Sequence, residues 1–306
     1  MSLPVFTHSA CLGHDTGAGH AEKPQRLGAV ISALRSEFDD LDWREAPRAT
    51  RGQLLRVHEA SLLETVLESR PANQLELDAD TVLSPQSAEA AVRAAGAGVA
   101  AVDAVMAGEA TTSFCAVRPP GHHATSQTAM GFCLFNNVAV AAAHALDRHG
   151  LARVAIADFD VHHGNGTQAI FEAEPRVQYL SSHQLPLYPD TGHAHERGVG
   201  NILNAPLPPG TGSRGFRAAW GEHLLPALDA FAPQLVLVSA GFDAHWRDPL
   251  AQLQLDADDF AWITGELRKR ARRHACGRLV STLEGGYDLQ ALRECSVAHV
   301  RALRDV

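Results

Sequence analysis

The stretch "RVAIADFDVHHGNG" (residues 153–166) joins two textures in fourteen residues. "RVAIA" is a nearly continuous apolar run, the composition of a strand covered on both faces of a parallel sheet. "DFDVHHGNG" (158–166) then places two carboxylates, two histidines and two glycines in nine positions. A buried strand running into such a loop belongs to a β–α unit, and in open α/β sheets ligands bind beyond the C-terminal ends of the strands.

The same pattern recurs along the chain. Strands are expected over 4–8, 113–117, 153–160, 177–183, 235–243 and 278–287, each a short run rich in β-branched or apolar residues. Helices are expected over 85–108, 136–150, 213–231, 256–274 and 288–304, the first with Pro85 near its start and Gly108 at its end. Strands alternating with helices predict a three-layer α/β fold with a mainly parallel central sheet. No repeat, low-complexity tract or linker interrupts residues 1–306, so one domain is expected. Polar residues follow five apolar runs at the same end: "RPPGHH", "DFDVHHGNG", "SSHQ", "GFD" and "EGGY". One rim of the sheet should therefore collect histidine, aspartate, serine and tyrosine.

Composition narrows the function. The charge balance of 26 basic and 35 acidic residues, net −9, lacks the basic face that phosphate backbones require, so no nucleic-acid partner is expected. No apolar stretch is long enough to span a bilayer, and the N-terminus has no charged-then-apolar leader pattern. Cys11, Cys115, Cys133, Cys276 and Cys295 are scattered without a Cys-x-x-Cys pair, which suits a reducing compartment. A soluble, cytoplasmic protein is the expectation. Of the 17 histidines, His122, His123, His162, His163, His183, His193 and His195 all fall between 122 and 195.

In extended chain, side chains at i and i+2 share a side, so Asp158, Asp160 and His162 can point one way and His163 the other. Asp160 and His162 offer a carboxylate and an imidazole suited to a borderline-soft divalent ion. Asp243, ending "LVLVSAGFD", is the natural third ligand, and Gly164 and Gly166 let the chain turn beneath the ion. A lone Asp or His at a strand end more often caps a helix, and that reading is preferred for Asp158 or His163 taken singly. The three ligands together with a histidine pair on the same rim favour a metal site.

At this point the sequence resembles the zinc-dependent histone deacetylase superfamily, which includes acetylpolyamine amidohydrolases and acetoin-utilisation proteins. The matching stretches are "GHAEKPQR" (19–26), "RPPGHHA" (118–124), "GFCLFNN" (131–137), "DFDVHHGNGTQ" (158–168), "SSHQ" with "YPDTG" (181–192), "SAGFDAHWRDPL" (239–250) and "LEGGYDL" (283–289). "HHGNG" and "LEGGYDL" look most like the class II branch and its bacterial relatives. The resemblance implies an arginase–deacetylase fold with an eight-stranded sheet.

It also implies roles. Asp160, His162 and Asp243 match the zinc ligands, with ferrous iron as an alternative occupant. His122 and His123 match the tandem histidines, Tyr287 the catalytic tyrosine, and Asp158 the carboxylate that orients the first histidine. Asp158, Asp160, His162, Ser181 and Ser182 match the surroundings of a structural potassium ion. The reaction implied is hydrolysis of an N-acyl amide by metal-activated water, with His123 as proton carrier, His122 assisting electrostatically and Tyr287 donating to the oxyanion. Gly285 and Gly286 give the backbone freedom to bring Tyr287 there. Asn165 stands where another branch has aspartate, and a neutral amide there should leave the histidine a free base more readily.

Gly131, Phe132, Tyr188 and Leu250 would line a narrow channel for an acyl-lysine stem. Leu250 replaces the glutamate of polyamine-selective class II relatives and suits a peptide or protein acyl-lysine. An acylated small amine is the rival substrate, and an oligomer is compatible with either. Asp78 and Asp80 could bind substrate backbone or amines, with solvated loop carboxylates as the default reading, and His193, His195 and His245 are read as loop residues without roles. A non-catalytic acyl-lysine reader is disfavoured because ligands, histidines and tyrosine are all present. A two-manganese, arginase-like site would need more carboxylates.

Overall fold

A computed structural model describes residues 2–304; Met1, Asp305 and Val306 of the expected single domain lie outside the described residues. The strands are β1 (Pro4–Thr7), β2 (Asp42–Glu45), β3 (Leu75–Glu76), β4 (Val82–Leu83), β5 (Thr112–Cys115), β6 (Val154–Asp158), β7 (Val177–Gln184), β8 (Ile202–Leu207), β9 (Leu235–Ala240) and β10 (Leu279–Leu283). Eight form one sheet in the order β2-β1-β5-β10-β9-β6-β7-β8, every pair parallel, while β3 and β4 make a small antiparallel ladder. Helices Ser87–Met106 and Asn137–His149 pack together, and helices Pro24–Glu37, Ala257–His274 and Leu289–Arg304 form a second group. The chain is a three-layer α/β fold.

Side-chain burial explains why the central strands read as continuous apolar runs. Every residue of β6, β9 and β10 is buried, because helices cover both faces. Each fully buried Val or Leu there contributes roughly 1.5–3 kcal/mol of hydrophobic stabilisation. The flanking strand β8 and the edge strand β2 escaped the sequence reading, since their alternating or polar character lacks that signal.

Three central strands end earlier than expected, while β7 runs one residue further, to Gln184, through its polar end. Those three stop being strand where the polar rim begins: β6 ends at Asp158, β9 at Ala240 and β10 at Leu283. Asp160 and His162 therefore lie in a loop, and their common direction comes from hydrogen bonds rather than strand alternation. The helix expected over 213–231 is also modified. Pro226 has no N–H to donate, and a π-helical stretch Ala219–Leu224 interrupts it, with Leu225 N–H donating to Trp220 O. Asn136 starts helix Asn137–His149 by accepting from Ala139 N–H at 3.0 Å.

Register places the functional loops side by side. Asp158 is opposite both Ser181 on β7 and Ser239 on β9, and Leu283 on β10 is opposite Ala240 on β9.

Beneath this rim lies a buried ion cluster. Glu22 accepts from Arg118 through both oxygens and from Arg26 Nη1 at 2.9 Å, and all three side chains are inaccessible to solvent. Burial raises the Glu22 carboxyl, but Arg118 and Arg26 outweigh it and hold it at about 2, below its ordinary 4.5. Because the folded value is the lower one, this stability is present above about pH 4.5 and is lost as pH falls toward 2. Glu22→Gln is expected to flatten the acid limb of thermal stability. It should also cost about 3–5 kcal/mol near neutrality, because two buried guanidiniums lose their charged partner. Thermal melts of both proteins from pH 7 to pH 3 read this directly; parallel acid limbs would contradict it.

Candidate metal centre and active site

Loops after β6, β9 and β10 bring Asp160, His162 and Asp243 together, with one ligand atom of each within 4.8 Å of the others. Asp160 is fixed from two sides: its Oδ1 accepts His162 N–H at 2.9 Å and its Oδ2 accepts Gly285 N–H at 2.8 Å. Asp243 Oδ1 accepts Val161 N–H at 2.9 Å. His162 Nδ1 then lies 3.2 Å from Asp160 Oδ1 and 3.3 Å from Asp243 Oδ2. A Cβ on residue 285 would sit 1.9 Å from Asp243 Oδ2, so only glycine lets this loop pass beneath the carboxylates.

This donor set fits a divalent cation. Asp243 Oδ2 is buried, and its polar neighbour His162 Nδ1 at 3.3 Å makes no well-aligned hydrogen bond to it. Burial and the neighbouring Asp160 charge both push the Asp243 carboxyl up. Two buried carboxylates this close are costly without a cation between them. One imidazole with two carboxylates, open on one side, is the catalytic type of zinc site, and the mixed N/O set also accepts ferrous iron.

The tandem histidines stand beside these ligands, their rings 4.1 Å apart. His122 Nδ1 is 3.1 Å from Asp158 Oδ2, which also accepts from Tyr179 OH at 3.0 Å. Burial works against charge on His122, but Asp160 and Asp158 outweigh it and lift it to about 10. His123 goes the other way. Burial first, then the charges of His122 and His162, hold it well below 6.5. His123 Nδ1–H donates to Asn165 Oδ1 at 2.7 Å, which leaves Nε2 as the free lone pair. The carboxylates thus favour the charged form of His122, while burial favours the neutral form of His123.

Tyr287 completes the group. Its N–H donates to Asp248 Oδ2 at 2.7 Å, and Arg26 lies over its ring at 4.7 Å. Burial raises the phenol well above 10 against the pull of Arg26, so it is a hydrogen-bond donor at neutral pH.

A channel of about 220 Å³ leads to this group, lined by Asp80, His123, Gly131, Phe132, His162, Leu187, Tyr188, Leu250 and Tyr287. The Tyr188 ring is 5.2 Å from His123 and the Phe132 ring 5.8 Å from Tyr287. Gly131 has φ +57°, and a Cβ there would sit 2.5 Å from the His123 ring. All four residues expected in the channel are in it.

Of the two loop carboxylates, Asp80 stands at the channel wall, where the substrate-binding alternative would have it. It lines the channel because the β3–β4 ladder folds over Phe132, whose N–H donates to Thr81 Oγ1 at 3.0 Å. Asp78 instead accepts from Asp80 and Thr81 N–H and shapes that turn. His163 faces away, toward Thr191 and Gln168. Arg26, Asp248 and Glu284 also brace the site. Each lay inside a motif stretch, but nothing local distinguishes a brace from a packed loop residue.

Fold and site together place a donor set able to hold a metal ion, with two histidines and a tyrosine beside it, at the C-terminal rim of a parallel sheet. Comparison with known proteins narrows this. A profile of the histone deacetylase domain matches residues 20–303. A histone deacetylase-like amidohydrolase of Pseudomonas aeruginosa is 44% identical over all of this chain and 82% of its own length. The human polyamine deacetylase HDAC10 is 39% identical over 92% of this chain and 44% of its own length. The crystal structure of the HDA15 HD domain superposes with a TM-score of 0.94 at 34% identity, covering 99% of this chain and 89% of that one. The chain belongs to the histone deacetylase family and is a hydrolase acting on acetylated amides.

Proposed function

We propose that the protein is a zinc-dependent deacylase that removes acetyl or related acyl groups from the ε-amine of lysine in peptides or proteins. The observation that carries this reading is the channel itself. Phe132 and Tyr188 form two aromatic walls and Leu250 a third contact of a narrow channel that reaches His162, His123 and Tyr287, a shape suited to an unbranched acyl-lysine stem. When bound there, the metal polarises the acyl carbonyl and makes water a nucleophile at neutral pH. His123 takes the water's proton on Nε2, its Nδ1–H held by Asn165, and later delivers a proton to the leaving amine. His122, charged and tied to Asp158, stabilises negative charge beside it. The Tyr287 hydroxyl donates to the developing oxyanion. A structural potassium ion would be held by Asp158, Asp160, His162, Ser181 and Ser182, of which Asp158 and Ser181 face each other in the β6–β7 register.

A second reading, an acylated polyamine or other small amine as substrate, is supported by Asp80 at the channel wall and by the human polyamine deacetylase among the relatives. The two separate on a matched panel of acetyl-lysine peptides, longer acyl-lysines, and acetylated putrescine, cadaverine and spermidine. Preferred turnover of peptides is expected; preference for polyamines would select the second reading. Leu250→Glu should shift the ratio of kcat/KM toward acetylspermidine by about tenfold or more, the worth of one charge-assisted contact to a second ammonium. An unchanged ratio would remove Leu250 as the selector. Binding without turnover of any amide would mark a reader. A cytoplasmic location is supported by five free cysteines, four of them buried. No helix among the described residues is long and apolar enough to cross a membrane, and two plant relatives are named chloroplastic.

A further inference from the structure

Pairing between β5 and β10 runs up to Cys115 opposite Thr282 and then stops. Beyond it the two chains carry different parts of the site: His122–His123 follow β5, and Tyr287 follows β10. Besides the Arg118–Glu22–Arg26 cluster, which reaches Gly286 O and Glu284 O through Arg26, one side chain links these two loops directly. Glu284, wholly buried, accepts Gly121 N–H at 2.6 Å and His122 N–H at 3.2 Å on one oxygen, Oε2. Its own backbone is anchored in turn. Its N–H donates to Ala240 O at 3.0 Å, and its carbonyl accepts from Arg26 Nη2 at 2.5 Å. Its second oxygen, Oε1, is buried and has no hydrogen-bond partner among the described residues.

The held segment has no freedom on its other side. A Cβ on Gly121 would fall 2.5 Å from Asn137 N, so the loop backbone is pressed against the start of helix Asn137–His149. Gly121 offers no side chain to hold, and its amide is one of the few handles there. Removing the acceptor leaves two buried N–H groups unmet, and the loop must move to find others.

We propose that Glu284 is a positioning residue, whose carboxylate sets the spacing between the His122–His123 pair and the Tyr287 hydroxyl. It touches neither substrate nor metal ligand in this role, and it acts through the backbone of the tandem histidines. The proposal rests on the acyl-amide reading above, because it assigns Glu284 to a reaction that needs base and oxyanion donor on opposite sides of one carbonyl. Its chemistry is that of a geometric brace. A glutamine side chain, equal in length and carrying a carbonyl oxygen, can accept the same two amides, whereas alanine cannot.

The test compares the metal-loaded full chain as wild type, Glu284→Gln and Glu284→Ala on the amide that wild type turns over best. The cobalt-loaded absorption spectrum and hydrogen exchange at the Gly121 and His122 amides are followed in parallel. Glu284→Ala is expected to lower kcat by about 10²-fold with KM within about threefold, the effect of misplacing a catalytic group by an ångström. Its cobalt spectrum should be unchanged and exchange at the two amides faster. Glu284→Gln should recover kcat to within about tenfold of wild type and restore slow exchange. Where Glu284→Ala does not fold, Glu284→Asp, which withdraws the acceptor by one methylene, should lower kcat at unchanged KM.

A folded Glu284→Ala or Glu284→Asp with wild-type kcat overturns the proposal. So does a glutamine variant as slow as alanine with both amides still protected, or a loss traced to a vanished cobalt spectrum. Failure of wild type on every amide would strike the functional reading instead, and amide exchange would still show whether Glu284 holds the loop.

Discussion

His123→Ala is expected to lower kcat by about 10²–10⁴-fold, the usual contribution of a positioned general base. KM should change little, because the ring forms only one part of the channel wall beside Tyr188, Gly131 and Phe132. The argument is the division of labour within the histidine pair. His122 is tied through Nδ1 to Asp158 Oδ2 at 3.1 Å, and the carboxylates around it favour its charged form. His123, neutral and tautomerically fixed by Asn165, has its Nε2 lone pair free. Since burial depresses His123, it remains a base below its ordinary range, and kcat should show no acidic limb near pH 7. Steady-state kinetics of both proteins across pH check both statements. An acidic limb well above neutrality, or a His123→Ala variant of near wild-type kcat, would assign the proton transfer elsewhere.

Tyr287→Phe is expected to lower kcat by about 10²–10³-fold, the cost of deleting one oxyanion donor. Deletion of the hydroxyl leaves the ring's contacts with Arg26 and Phe132 in place, so folding and KM should be nearly unchanged. The phenol is suited to donation rather than proton loss, since burial holds it well above 10. A matching loss in kcat and kcat/KM identifies an interaction made only in the transition state. Equal loss of thermal stability would instead make Tyr287 a packing residue.

Much of this was legible because a parallel sheet leaves strong marks in sequence. "RVAIA" and "LVLVSA" had to be buried on both faces, and β6 and β9 are. The polar endings of five runs had to share a rim, and Asp160, His162, Asp243, His122, His123 and Tyr287 meet there. The placements that no local pattern shows depend on long sequence distances. Asp80 reaches the channel only because the β3–β4 ladder folds over Phe132. Glu284 meets Gly121 across 163 positions, and Arg26 meets Gly286 across 260. Such pairings come from tertiary closure, and no local period announces them. The π-helical stretch before Pro226 was likewise hidden, since an amphipathic pattern reads the same through a one-residue slip.

The central claim is that one metal ion at Asp160, His162 and Asp243 supports hydrolysis of an acyl-lysine amide. It is tested most directly by titrating zinc into the metal-stripped protein while following release of acetate from an acetyl-lysine peptide. Turnover is predicted to be absent without metal, to rise linearly and to level off at one equivalent, with Asp243→Asn shifting or abolishing the rise. Full turnover by the stripped protein, or an unaltered titration in Asp243→Asn, would contradict the account.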